Sequence, residues 1–296
     1  MRVVIAGSSG FLGTHLISHL RSHGHQVSTL VRRAPGPDEI RWDPYAGPLD
    51  PAVVADAHVV VNLAGAPTMG NPHSKKWARE LRESRVRTTA VLAEAIARSE
   101  RPPAFMAGNG ISFYGDHGAE PLKESALSRG DALLTDVTRE WQEATAPAAA
   151  AGSRVCILRT APVIDRRSAP LSLLAPLFKA GLGARLGSGR QYFPIISLRD
   201  WLAAVAFLVE SRDLSGPFNL CAPQTPTNAE FTTALARAVH RRAFLAVPSF
   251  ALRRAAGAMA PEVLGSLNTV PAALEAAGFD FADRTVDDVI STGLAA

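Results

Sequence analysis

Lysine is scarce in this chain. Its 296 residues carry four, at 75, 76, 123 and 179, so the positive charge is almost entirely arginine. The excess is small, a net charge of +4, and pairs such as Arg166-Arg167, Arg241-Arg242 and Arg253-Arg254 are scattered. A nucleic-acid footprint needs a concentrated basic patch, so no nucleic-acid partner is expected. Cysteine is rarer still: Cys156 and Cys221 stand in the apolar runs "RVCILR" and "FNLCAP". Two such thiols read as buried and reduced, which argues against a disulfide framework and for a cytoplasmic protein. No apolar run approaches the roughly 18 residues of a membrane span. The first apolar residues, from Val3, read as strand, so no secretory leader is expected.

Short runs rich in Val, Ile and Leu alternate with longer helical patterns. "RVVIAG", "QVSTLV", "HVVVNLAG", "AFMAGNG" and "RVCILRTA" read as strands buried on both faces. Helices are expected over 11–22, 75–98 and 131–151. This alternation predicts an α/β fold, a Rossmann-type doubly wound parallel sheet with a smaller C-terminal substrate lobe. The expected division is a dinucleotide-binding domain over 1–170 and a mixed α/β lobe over 171–296. Later segments are expected to help complete the sheet.

Gly7, Gly10 and Gly13 follow the first strand and open the first helix, the setting a dinucleotide fingerprint requires. Gly7 permits the tight turn, Gly10 lets backbone approach a pyrophosphate, and Gly13 lets the helix pack on the sheet. Ser9, Phe11 and Leu12 share that loop and the helix start, whose N–H groups face the phosphates. An NAD site calls for an acidic residue at the end of the second strand. That strand ends instead at Val31 with Arg32 and Arg33, and no acidic residue precedes Asp38. Two guanidinium groups favour a 2′-phosphate, so the expected cofactor is NADP(H). Leu63, Ala64 and Gly65 end the next strand on the cofactor edge, and Glu80 and Arg85 of the long helix are expected at the same cleft.

With "GSSGFLG", "VVVNLAGAP", "SRVRTT", "YG" at 114–115, "CILRTAPV", "GSGRQYFP", "GPFNLCAP", "TNAEF" and "EAAGFDF", the chain resembles an atypical extended short-chain dehydrogenase/reductase. It is most similar to the epimerase-like subfamily, the NAD-dependent epimerase/dehydratase family, over nearly the whole length. The resemblance implies that Val31, Arg32, Leu63, Ala64, Glu80, Arg85 and Val163 line an NADP(H) site. Asn109-Gly110 stands where related chains often carry serine, Phe113 where they tend to carry a first tyrosine, and Ser197 where the subfamily has histidine.

Reductases of the wider family use Tyr-x-x-x-Lys, the lysine lowering the phenol's pKa. None of the three tyrosines here has lysine four residues on. Tyr114 is the expected replacement as proton donor, with Ser112 and Asn109 orienting a carbonyl or hydroxyl. Arg159, at the end of the following strand, is assigned to the cofactor, and Arg190 and Tyr192 to the substrate. His15, His19 and His23 share helical spacing but have no acidic or cysteine partner, so no metal is expected. The expected activity is NADP(H)-dependent oxidoreduction or epimerisation at a carbonyl or alcohol of a small molecule. A non-redox isomerase or cyclase retaining the fold, and an NADPH-sensing regulator without turnover, stay open as alternatives. The expected partner is a small-molecule substrate, with no membrane, and a homodimer is left open.

Overall fold

The computed structural model describes residues 1–296. Seven strands form one sheet: β1 (Arg2–Ala6), β2 (Gln26–Val31), β3 (Glu39–Arg41), β4 (Val59–Asn62), β5 (Ala104–Gly110), β6 (Val155–Thr160) and β7 (Gly216–Leu220). Their order is β7-β6-β5-β4-β1-β2-β3, and the pairings from β5 to β3 are parallel. The strands expected from the sequence are all present. β3 is an addition, three residues with one apolar side chain, too short to leave a periodic signal.

Buried β-branched residues explain these strands. Val59, Val60 and Val61 are fully covered, as a strand between two helical layers requires. From β1 the chain builds outward through β2 and β3, then returns to lay β4 on the other side of β1. That reversal makes the crevice beyond the carboxyl ends of β1 and β4 the natural place for a ligand.

Helix α1 (Phe11–Ser22) buries Gly13, Leu16 and Leu20. Helix α2 (Lys75–Ala97) is capped by Ser74, whose hydroxyl oxygen accepts from the Trp77 N–H at 3.2 Å. Its buried face includes Leu81, Leu92 and Ile96. The expected helix over 131–151 is two, α3 (Leu133–Glu143) and a short turn at Ala146–Ala150. Pro147 lies at the start of the second, where its missing N–H is tolerated, and it would break a continuous helix.

The chain divides into two compact units, and the division differs from the boundary expected at 170. The first comprises Met1–Asn109, Val137–Leu158 and Val205–Pro217; the second comprises Gly110–Asp136, Arg159–Ala204 and Phe218–Ala296. The interleaving follows from topology: the chain must return at 216 to supply the edge strand β7. The core of the first unit joins Val4, Leu30, Val60, Leu92, Ile96 and Phe105. In the second, Ile164, Phe178, Ile195, Phe231, Leu235 and Ile290 pack together. Two of that unit's helices, α4 (Asn228–Ala238) and α6 (Val286–Ala295), begin with capping boxes, Thr227 with Glu230 and Thr285 with Asp288. Between them in sequence lies the short helix α5 (Ala260–Leu264). No helix is long and apolar enough to cross a membrane. Cys156 and Cys221 are buried free thiols, pushed up by burial to about 11 and about 12.

Candidate dinucleotide site and a second cavity

In the first unit the three glycines divide their work. Gly7 has φ +86°, and a Cβ there would stand 2.4 Å from the Leu63 carbonyl carbon and 2.6 Å from the Ala64 nitrogen. A Cβ on Gly13 would come within 2.2 Å of the Gly7 oxygen. Both glycines are therefore demanded by the fold itself. Gly10 is not: its added Cβ would meet only the Gly7 oxygen, at 3.4 Å, with ordinary φ −76° and ψ 163°. Helix α1 starts there with no side-chain cap and no acidic residue in its first turn. Ser9 and Gly10 are exposed, and Phe11 and Leu12 half-buried. The result is a cradle in which a Cβ at Gly10 would make a single contact, bordered by a helix N-terminus, which suits an anionic diphosphate.

The two arginines after β2 are not equivalent. Val31 is buried and Arg32 is exposed, with neither hydrogen bond nor ion pair. Arg33 is bidentate on Glu39, at 2.7 and 2.5 Å, which raises the guanidinium's pKa and lowers the carboxylate's. The fork of Arg33 is thus occupied by an acid from β3, whereas Arg32 has no partner within the protein. After β4, the Asn62 side-chain oxygen accepts from the Ala64 N–H at 3.0 Å, while its amide donates to Thr89 at 2.8 Å. This fixes the turn Leu63–Ala64–Gly65 against Gly7.

Arg85 packs beside Gly65, where an added Cβ would lie 3.3 Å from the arginine Cγ. Its guanidinium donates to the Leu81 carbonyl and the Thr68 hydroxyl, both at 3.1 Å, and no carboxylate neutralises it. Burial lowers its pKa to about 10, so it remains a cation at neutral pH. Glu80 belongs elsewhere: it is largely exposed and faces Lys76 at 3.9 Å, four residues earlier on α2. In this structure Glu80 takes part in a surface helix pair.

Each of the three expected catalytic residues has a partner within the protein. Asn109 is buried and its amide donates to the Thr138 carbonyl at 3.0 Å, anchoring α3 to β5. In the second unit, Tyr114 is fully buried. Its hydroxyl donates to the Asn219 side-chain oxygen at 2.7 Å and accepts from the Arg159 Nη1 at 2.8 Å. Burial raises its pKa, with the Arg159 charge and these hydrogen bonds opposing. The expected proton donor thus sits with its hydroxyl in a buried hydrogen-bond network. Arg159, 3% exposed, also donates to the Glu124 carbonyl and lies 3.7 Å over the Phe113 ring, which anchors it within the second unit. Val163 is buried in a parallel pair with Ile196.

Ser112 does meet a reactive group. Its hydroxyl donates to Glu262 Oε2 at 2.6 Å. Both line a cavity of ≈ 230 Å³ in the second unit, with Thr135, Asp116 and Arg253 also on its wall. Burial pushes the Glu262 carboxyl above its ordinary range, and the Ser112 hydrogen bond only partly offsets this. Arg190 is exposed, and neither it nor Tyr192 lines the cavity. Tyr192 supports the wall through its backbone: its N–H donates to the Ser266 hydroxyl at 3.0 Å and its carbonyl accepts from the Leu267 N–H at 3.2 Å. Glu262 was not anticipated. The available signal was its isolation, the single acidic residue between Glu230 and Glu275, set in the apolar run "AAGAMAPEVLGSL".

Comparison with known proteins agrees with the architecture. Residues 3–221 match the NAD dependent epimerase/dehydratase family, and 247–292 match a domain of unknown function, DUF1731. An epimerase family protein of Mycobacterium leprae is 40% identical over 291 residues, covering 98% of this chain and 94% of its own. Human epimerase family protein SDR39U1 is 32% identical over 287 residues, covering 95% of each. The crystal structure of the human protein (isoform 2) with NADPH superimposes with a TM-score of 0.89 and 27% identity, over 100% of this chain and 99% of that one. A nucleoside-diphosphate sugar epimerase from Corynebacterium glutamicum superimposes with a TM-score of 0.81 and 34% identity, over 99% of this chain and 58% of that one. With its glycine cradle at the β1–β4 reversal and a family match across most of its length, the chain belongs to the NAD dependent epimerase/dehydratase family.

Proposed function

We propose that the protein binds NADP(H) and uses it to reduce, oxidise or epimerise a small molecule at a carbonyl or alcohol carbon, in the cytoplasm. The observation that carries this reading is the pairing of an open cradle at Gly10 with an unpaired guanidinium at Arg32. Gly7, Ser9, Gly10 and the start of α1 would hold the diphosphate, Arg32 the 2′-phosphate, and Leu63 to Gly65 the adjoining ribose. The human relative crystallised with NADPH supports the choice of cofactor. When bound, the reduced nicotinamide supplies a hydride. Arg85, a cation with no carboxylate beside it, is available to an anionic group near the Gly65 turn.

Titration by energy transfer from protein to nicotinamide tests the assignment. NADPH is expected to bind more tightly than NADH, and equal affinities would remove the role of Arg32. A second reading, binding without turnover, is favoured by the enclosed Tyr114 hydroxyl and the lack of a Tyr-x-x-x-Lys pair. Consumption of NADPH with a carbonyl substrate separates the two.

A further inference from the structure

Of the ten large apolar side chains that stand exposed, six belong to two segments of the second unit: Leu173, Leu177, Leu182, Phe244, Leu245 and Phe250. The fold brings these segments together. Leu173 and Leu177 lie one turn apart on the helix Leu171–Lys179, and the Leu182 N–H donates back to the Leu177 carbonyl at 2.9 Å. The strand Ala184–Leu186 that follows pairs in parallel with Leu245–Val247, Ala184 opposite Leu245. Arg241 Nε donates to the Lys179 carbonyl at 2.9 Å and ties the second segment to the end of that helix. The helix Ser249–Ala256 comes next, and it buries none of its residues. Phe244 is 82% exposed and Phe250 76%, so both rings project instead of filling the core.

The same elements carry cations and no acid. Lys179, Arg185, Arg241, Arg242 and Arg254 are exposed, and none forms an ion pair. No aspartate or glutamate occurs between Asp165 and Asp200, or between Glu230 and Glu262. On the last helix Arg254 follows Phe250 by four residues and shares its face. An apolar patch inside an uncompensated positive field repels a second copy of itself and attracts an anionic partner. Four of the six apolar side chains are leucines, which offer a nucleic-acid base nothing to stack on. Rings as exposed as Phe244 and Phe250 project past any groove wall that would seat a peptide helix. A bilayer needs no groove. Rings and leucines enter its headgroup boundary while long arginine and lysine stems hold their charges at the lipid phosphates.

We infer that this face of the second unit docks reversibly on a bilayer rich in anionic phospholipid, with Phe244 and Phe250 inserted at headgroup level. The expectation of no membrane partner follows from the lack of a spanning run, and a contact made by one face needs no such run. Two attractions act together, apolar burial and charge, and either is too weak alone for stable docking. Binding should therefore require anionic lipid, weaken with salt, and fail when either the rings or the cations are removed.

Flotation of the intact chain with lipid vesicles tests this. Vesicles of equal parts phosphatidylcholine and phosphatidylglycerol should carry the protein upward at low salt, and phosphatidylcholine alone should not. High salt should release most of it. Arg242→Glu combined with Arg254→Glu should weaken binding at least about tenfold through charge. Phe244→Ser combined with Phe250→Ser should weaken it by at least about tenfold through lost apolar burial. All four positions are exposed, so both double variants should melt as the wild type does. Phe250→Trp reads insertion directly: brominated lipid should quench its fluorescence beyond any quenching of the four native tryptophans. No flotation with the anionic vesicles, equal flotation with neutral ones, wild-type binding in either double variant, or no added quenching in Phe250→Trp would overturn the inference. So would retention of single-stranded RNA or of an acidic peptide without flotation, which would assign the face to that partner.

Discussion

At the glycine loop of the first unit, what matters is where side chains are missing and where backbone N–H groups point. Around Tyr114 in the second unit, what matters is which side-chain atoms are already bonded to one another. The loop's geometry follows from residue type, because glycine alone tolerates the Gly7 and Gly13 positions. The Tyr114 cluster looks reactive as a list of residues, yet each polar atom described above is engaged inside the protein. A polar residue near the end of a strand is thus a weaker sign of chemistry than an empty position in a loop.

Substitutions can break that contrast. The largest effect is expected at Gly13→Ala, whose Cβ would be forced to 2.2 Å from a backbone oxygen. It should destabilise the fold by roughly 3 kcal/mol or more, read by thermal melting. Gly10→Val, whose Cβ would meet only the Gly7 oxygen at 3.4 Å, should melt much closer to wild type than Gly13→Ala while losing at least about 100-fold in NADPH affinity, roughly 3 kcal/mol. Normal binding in that variant would show that the cradle holds nothing at Gly10.

Next comes Arg32→Ala, which should cost NADPH about 1.5–3 kcal/mol of binding and leave NADH almost unaffected. Arg33→Ala should keep NADPH within about threefold, since its fork already belongs to Glu39. A larger loss from Arg33 would mean that the Glu39 pair opens when cofactor binds.

Tyr114→Phe sharpens the other side. It leaves Asn219 and Arg159 each one hydrogen bond short in a buried place, and should cost about 1–3 kcal/mol in denaturant unfolding. NADPH affinity should not change. Turnover lost with stability intact would restore the tyrosine as a proton donor.

The smallest effect is a pH dependence. Burial raises the folded-state pKa of Glu262, so between its unfolded and folded values the native protein binds more protons. Stability therefore falls as pH rises through that window. Glu262→Gln should melt higher than wild type near neutral pH and converge with it below the ordinary carboxylate range. A variant that melts lower at neutral pH would indicate that the ionised carboxylate stabilises the fold.

The sequence made the sheet legible because runs such as Val59–Asn62 are apolar on both faces, and the loop because three glycines at fixed spacing admit few other readings. It could not reveal that Glu39 captures Arg33, since β3 is three residues long and carries no pattern. Nor could it join Ser112 to Glu262, 150 residues apart in sequence and brought together by tertiary folding alone. Nor could it show the partner of Tyr114: Asn219, its hydroxyl's acceptor, lies 105 residues further along the chain.

Arg32 stands at the protein's surface and bonds to nothing within it. Its replacement removes no contact that folding depends on, so mutation and selection can act there without a threshold of stability to cross. Gly7 and Gly13 lack that freedom, because every alternative residue strains the backbone or collides with it. Across related chains, the preference between the two nicotinamide dinucleotides should therefore drift readily at position 32 while the loop beneath it stays fixed. For an engineer wishing to change cofactor, Arg32→Asp or Arg32→Glu is the first substitution to make.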